Sequence, residues 1–137
     1  MKVKDILLTE LSNTDMITAA EIINRAFNRE YGITVHFRPH SKDRAAGRDA
    51  DVTLVELLRV FDKFHKKYGK DLLASRDRKE QFVGTIKDLS QQINIPFTID
   101  YQVPDDRGFV MMWCNTIMRK PGPEFRPNSF SGRTLHV

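Results

Sequence analysis

Near residue 70 the hydrophobic period of this chain changes, and that change limits the folds open to it. Upstream, Leu54, Leu57, Leu58, Phe61, Phe64 and Tyr68 recur at three- and four-residue steps, an apolar stripe along one side of a helix. Thr53-Leu-Val-Glu56 reads as a capping box, in which a hydroxyl and a carboxylate satisfy the free N–H groups at the helix start. Gly69 reads as the stop. The aromatics of this stripe fit ordinary core better than a cofactor box. An earlier stripe, Ile17, Ala20, Ile23, Phe27 and Tyr31, begins near Thr14 and ends at Gly32. Ile33 to Phe37 is too short and mixed to assign. A short helix over residues 39–46 fits Pro39 in a first turn and Gly47 at the end.

Downstream the residue types become strand-like. PFTIDYQV and FVMMWCNTIMRK flank the turn signal PDDRG, which predicts an antiparallel hairpin. Residues 109–113 are apolar on both faces, as in a central strand covered on both sides. RTLHV reads as a last short strand, whereas residues 75–94 are polar, with Phe82, Val83 and Ile86 fitting a strand or a short helix. The expected fold is a single α+β domain over residues 1–137. Helices from about 14 to 70 pack on a mainly antiparallel sheet from about 80 to 137.

Composition narrows the function classes. At 137 residues, with 40% hydrophobic residues and nine phenylalanines, a folded globule is expected. The 22 basic against 18 acidic side chains, a net charge of +4, give a mild bias toward anionic partners. The single cysteine, Cys114, allows no internal disulfide and no CxxC zinc site, and it fits a reducing compartment. MKVKDILLTELSNTD carries a charge inside its apolar run, unlike a secretion signal, and no stretch approaches the ~20 apolar residues of a membrane span. A soluble, cytoplasmic protein is expected.

The chemistry concentrates in HFRPHSKDRAAGR, His36 to Arg48, which holds two histidines, three arginines and a lysine. His40, Arg44 and Arg48 stand four residues apart, so on a helix they drift by only about 80° and share one face. An imidazole that exchanges protons near neutrality beside guanidinium groups that fork onto phosphate oxygens suits a phosphodiester. A solvated basic helix with Asp43 pairing internally accounts for the same spacing. His36 and His40 lack the Cys or carboxylate partners of a metal site. Ser41 lacks an orienting carboxylate, and no phosphate-binding glycine loop is present.

The words His40-Ser-Lys-Asp43-Arg44-Ala-Ala-Gly-Arg48, then Val55-Glu-Leu-Leu58, resemble the RegB-type endoribonucleases of tailed phages, with their His-x-x-Asp-Arg-Ala-x-x-Arg pattern. A strand over 109–119 before the Lys120-Pro121 break continues the likeness, which spans roughly residues 35 to 125. The INIPF and TIMRK segments also resemble small uncharacterised phage proteins. The resemblance implies a fold like that of RelE-type toxin ribonucleases and metal-independent cleavage of single-stranded RNA, with messenger RNA as a candidate, to a 2′,3′-cyclic phosphate. No cofactor is implied. The implied partner is RNA, free or on the ribosome, in the host cytoplasm if the chain is phage-encoded. His40 falls on the family's catalytic histidine, Arg44 on the motif arginine and Arg48 on the second basic position. The family's second histidine falls near Arg59 here, so another proton partner is needed. His136 is the candidate, since toxins of this fold place a catalytic group on a late strand. His65 is expected to face solvent, about 100° round the helix from Phe64. A catalytically silent module that binds RNA or a host protein through the same basic face is the alternative.

Further cations complete the expected RNA surface. Arg38 opens the basic stretch, and Lys66 and Lys67 sit in a lysine run that also suits a helix end. Arg119 and Lys120, with Arg126 and Arg133, lie at a strand end and its loop. Trp113 is expected in the core rather than as a stacking platform.

Overall fold

A computed structural model describes residues 13–38, 52–119 and 132–137. It contains helix α1 (Asn13–Tyr31), strand β1 (Ile33–Phe37), helix α2 (Leu54–Arg78), and strands β2 (Phe82–Asp88), β3 (Ile93–Pro104), β4 (Val110–Cys114), β5 (Met118–Arg119) and β6 (Arg133–His136). The fold is α+β: two helices and a mixed six-stranded sheet of order β1-β4-β3-β2-β6, with β5 also paired to β3. β3 pairs antiparallel with β2, β4 and β5, while the outermost strands run parallel to their neighbours, β1 to β4 and β6 to β2. The expected hairpin is β3–β4. Its turn is held by Asp105, whose Oδ1 accepts from the N–H groups of Arg107 and Phe109 at 2.9 Å each. The helical and β parts interleave, because β1 lies between the helices in sequence.

The capping box forms: the Thr53 hydroxyl accepts from Glu56 N, and the Glu56 carboxylate accepts from Thr53 N. Gly32, at φ +65°, ends α1 as its sequence position suggests. Gly69 does not end α2. The helix runs nine residues further, to Arg78, with Lys79 as its left-handed cap. A Cβ on Gly69 would overlap the hydroxyl of Tyr31, so this glycine admits a neighbouring ring instead of stopping a helix. The phase of α1 also differs. Met16 and Ala19 are buried with Ile23, Phe27 and Tyr31, whereas Ile17 is 55% exposed.

Aromatic rings join the layers. Phe61 and Phe64 of α2 meet Phe37 and Phe97 of the sheet at centroid distances of 5.8 and 5.7 Å, and Phe27 of α1 meets both helix rings. Around them Ile33, Val35, Met112, Cys114, Ile95, Ile99, Ile86 and Leu135 close the core. Residues 109–113, expected to be covered on both sides, instead alternate: Val110 and Met112 are buried, Met111 and Trp113 half-buried. The second face still holds buried polar groups, with Lys87 Nζ donating to Asn94 Oδ1 at 2.7 Å.

The outer edge of β1 is covered by side chains. Asn24 of α1 accepts from Val35 N at 2.6 Å and donates to Val35 O at 3.0 Å, while Asn28 donates to Ile33 O at 2.6 Å. One helical turn apart, the two amides satisfy backbone groups that would otherwise template another strand. β4 and β5 follow each other along β3. From Cys114 to Met118 the chain advances four residues while β3 advances three, from Phe97 to Asn94. This one-residue bulge re-aims Arg119.

Candidate functional site

The basic stretch enters the described structure on β1. There His36 pairs in register with Trp113 of β4. Strand alternation sends Phe37 and Cys114 into the core and turns His36, Arg38 and Trp113 to the second face. The His36 imidazole meets the indole edge-on, with centroids 4.9 Å apart and planes at 78°. The Arg38 guanidinium lies over the indole, 4.6 Å from its centroid, a cation–π contact worth about 0.5–1 kcal/mol at an exposed site. Backbone pairing fixes the group, since Arg38 N donates to Cys114 O at 3.1 Å. An imidazole, a guanidinium and a half-buried indole therefore form one cluster at the end of β1. The core position expected for Trp113 is not what the fold gives it. The alternation from its buried neighbours Met112 and Cys114 is the signal that places it here.

Past Arg38 the chain carries His40, Arg44 and Arg48, which lie outside the described residues, as do Lys120, Arg126 and the short helix expected over 39–46. It re-enters the described structure at Val52, which is fully buried, and at the capping box of α2.

The other expected site residues are dispersed. Arg119 turns to the helix side of the sheet and grips Glu56 with one nitrogen 2.7 Å from each carboxylate oxygen, its second nitrogen donating to Gln91 O at 2.7 Å. Burial pushes the Glu56 carboxyl up, but hydrogen bonds from Arg119 and Thr53 outweigh it and hold the group below its ordinary range. Beside this pair Asp88, its side chain fully buried, accepts from Lys63 at 2.8 Å and from Ser90 and Gln91. Those bonds likewise overcome burial and lower its carboxyl. Arg119 thus ties β5 to the start of α2.

His136 sits exposed on β6, in register with Lys87. β6 and β1 are opposite edges of the sheet, four strand spacings or about 19 Å apart. Arg38 and His136 are not brought together. Lys66 pairs with Asp62 at 2.9 Å one turn away, and Lys67 lies over the Tyr68 ring at 5.7 Å. Twelve residues into α2, this stretch is about 18 Å along the axis from its start.

His65 does not face solvent as expected. Its Nδ1 lies 2.8 Å from the Tyr31 hydroxyl and its Nε2 3.1 Å from Glu30, with the ring packed against Phe27 and Tyr31. Helix α1 covers that side of α2, which the stripe of α2 alone cannot reveal. Burial, with Glu30 nearby, pushes the Tyr31 phenol up. The group pins the end of α1 to the middle of α2. An apolar cavity of about 250 Å³ opens beside it, lined by Ile22, Phe27, Leu58 and Phe61 among others.

Among the described residues no three His, Cys, Asp or Glu side chains gather as a metal site, and no helix is long and apolar enough to cross a membrane. No family model, curated protein or solved structure matches this chain.

Proposed function

We propose that this chain is a metal-independent endoribonuclease acting on single-stranded RNA. The observation that carries the reading is the mounting of the motif. The segment bearing His40, Arg44 and Arg48 follows Arg38, bonded to Cys114, and precedes the buried Val52. Its first end is thus held beside an indole, an imidazole and a guanidinium suited to RNA, and its second is anchored in the core. In the proposed reaction the ribose 2′-oxygen attacks the adjacent phosphorus, its proton leaves to a base, and the 5′-oxygen departs with a proton. The products are a 2′,3′-cyclic phosphate and a 5′-hydroxyl. His40 would move a proton, and Arg44 and Arg48 would stabilise charge growing on the phosphorane.

The silent RNA-binding or host-protein-binding alternative has its own support. Arg119 and Lys66 are paired with carboxylates, and His136 lies on the sheet edge opposite β1. The experiment is cleavage of unstructured RNA in excess EDTA by the wild type and by His40→Ala. Cyclic phosphate ends, with a rate ~10²-fold or more lower in the variant at similar RNA affinity, support the nuclease. Strict Mg²⁺ dependence or cutting of DNA contradicts it.

A further inference from the structure

We infer that Trp113, with Arg38 and His36, forms a stacking subsite for one unpaired base of single-stranded RNA. The inference rests on the proposed action on RNA and adds where that RNA is held. Each base offers a planar π-face to a ring, and RNA presents its bases to side chains where they are unstacked. Trp113 supplies such a ring on the second sheet face, half-buried, with its plane fixed by register on β4 and by the edge of His36. His36 is thus a positioning residue.

Arg38 shows how the subsite opens. Its guanidinium lies where a base would stack, 4.6 Å from the indole centroid, at the end of a long, exposed side chain. A base taking that place would displace the guanidinium toward the phosphate attached to it, a forked, charge-assisted contact. Charge favours a polyanion as the occupant. From His36 to Arg48 the chain carries Arg38, Lys42, Arg44 and Arg48 against the single carboxylate of Asp43. The stacked base would then lie beside the strand that leads directly into His40.

Trp113 is the only tryptophan, so the tryptophan emission of the intact chain reports this subsite alone. The probe is a short 2′-O-methyl oligoribonucleotide, which lacks the nucleophilic hydroxyl and cannot be cut by transesterification. Saturable quenching is expected, with binding weakened by salt. By anisotropy of a labelled oligonucleotide, Trp113→Ala should lose about 5- to 100-fold in affinity and Trp113→Phe at most a few-fold. The Phe variant guards against misfolding. An abasic oligonucleotide should bind wild type and Trp113→Ala alike. Binding that leaves the emission and the Trp113→Ala affinity unchanged overturns the subsite, as does no binding at all. Cleavage of ordinary RNA without quenching sinks the subsite alone. Quenching without cleavage sinks the nuclease alone.

Discussion

Replacing Gly69 by alanine separates this packing from the ordinary behaviour of helices. In the interior of α2, Gly→Ala should stabilise by about 1 kcal/mol from helix propensity alone. Here the new methyl would overlap the Tyr31 hydroxyl and lie 3.1 and 3.3 Å from two of its ring carbons. Tyr31 is 5% exposed, so its ring has little room to retreat. Overpacking of this kind costs about 1–3 kcal/mol, and a displaced hydroxyl loses its bond to His65, about 1 kcal/mol more. Net of propensity, Gly69→Ala should destabilise by about 1–3 kcal/mol, lowering Tm by several degrees for a chain of this size. Tyr31→Phe removes the closest atom, so the same alanine added to the Tyr31→Phe variant should be nearly neutral. Urea unfolding of the four proteins in this cycle, followed by far-UV circular dichroism, should give a coupling of about 1 kcal/mol or more with unchanged m-values. A wild-type background stabilised by Gly69→Ala would refute the reasoning.

Other expectations follow from the polar contacts. Glu56 and Asp88 have folded pKa values below their ordinary 4.5 and 3.8. The stability they contribute is therefore fully present above those ordinary values and is lost as pH falls through the lower folded ones. Arg119→Met should raise the folded value of Glu56 and move acid unfolding to higher pH; an unchanged acid midpoint counts against the pairing. Asn24→Ala should cost about 1–3 kcal/mol and bare the edge of β1, seen as lower urea midpoints and concentration-dependent association in size-exclusion chromatography. Full burial pushes the Cys114 thiol far up, so a thiol reagent should label it only on unfolding; rapid labelling of the native protein would contradict that burial. His136→Ala tests His136 as the proton partner: loss of one limb of a pH–rate profile would assign it that role, and cleavage within a few-fold of wild type would exclude it.

Local rules carry much of the fold. The capping box at Thr53 and Glu56, the glycine stop after Tyr31 and the turn at Asp105 each depend on residues within a few positions, and each forms. Gly69 misleads because its purpose is set by Tyr31, 38 positions away. β2 is obscured because Lys87 and Asp88 are buried by partners on other elements, which breaks the apolar pattern of a central strand. The parallel pairings of β1 with β4 and of β6 with β2 join segments far apart in sequence, and no turn announces them. The candidate site divides the same way. Arg38 is legible as a cation in a basic run. Its position over Trp113 follows from a register that only the sheet defines. Arg119 reads as a free cation because its partner, Glu56, is already accounted for by the helix cap.

The central claim is tested most directly by an oligoribonucleotide carrying a single 2′-deoxy substitution at the nucleotide 5′ of its main cleavage point. In EDTA, the all-ribose strand should yield a fragment whose mass includes a 2′,3′-cyclic phosphate, and the substituted strand should stay intact at that position. Equal cutting of both strands, or cutting that requires Mg²⁺, would contradict the account.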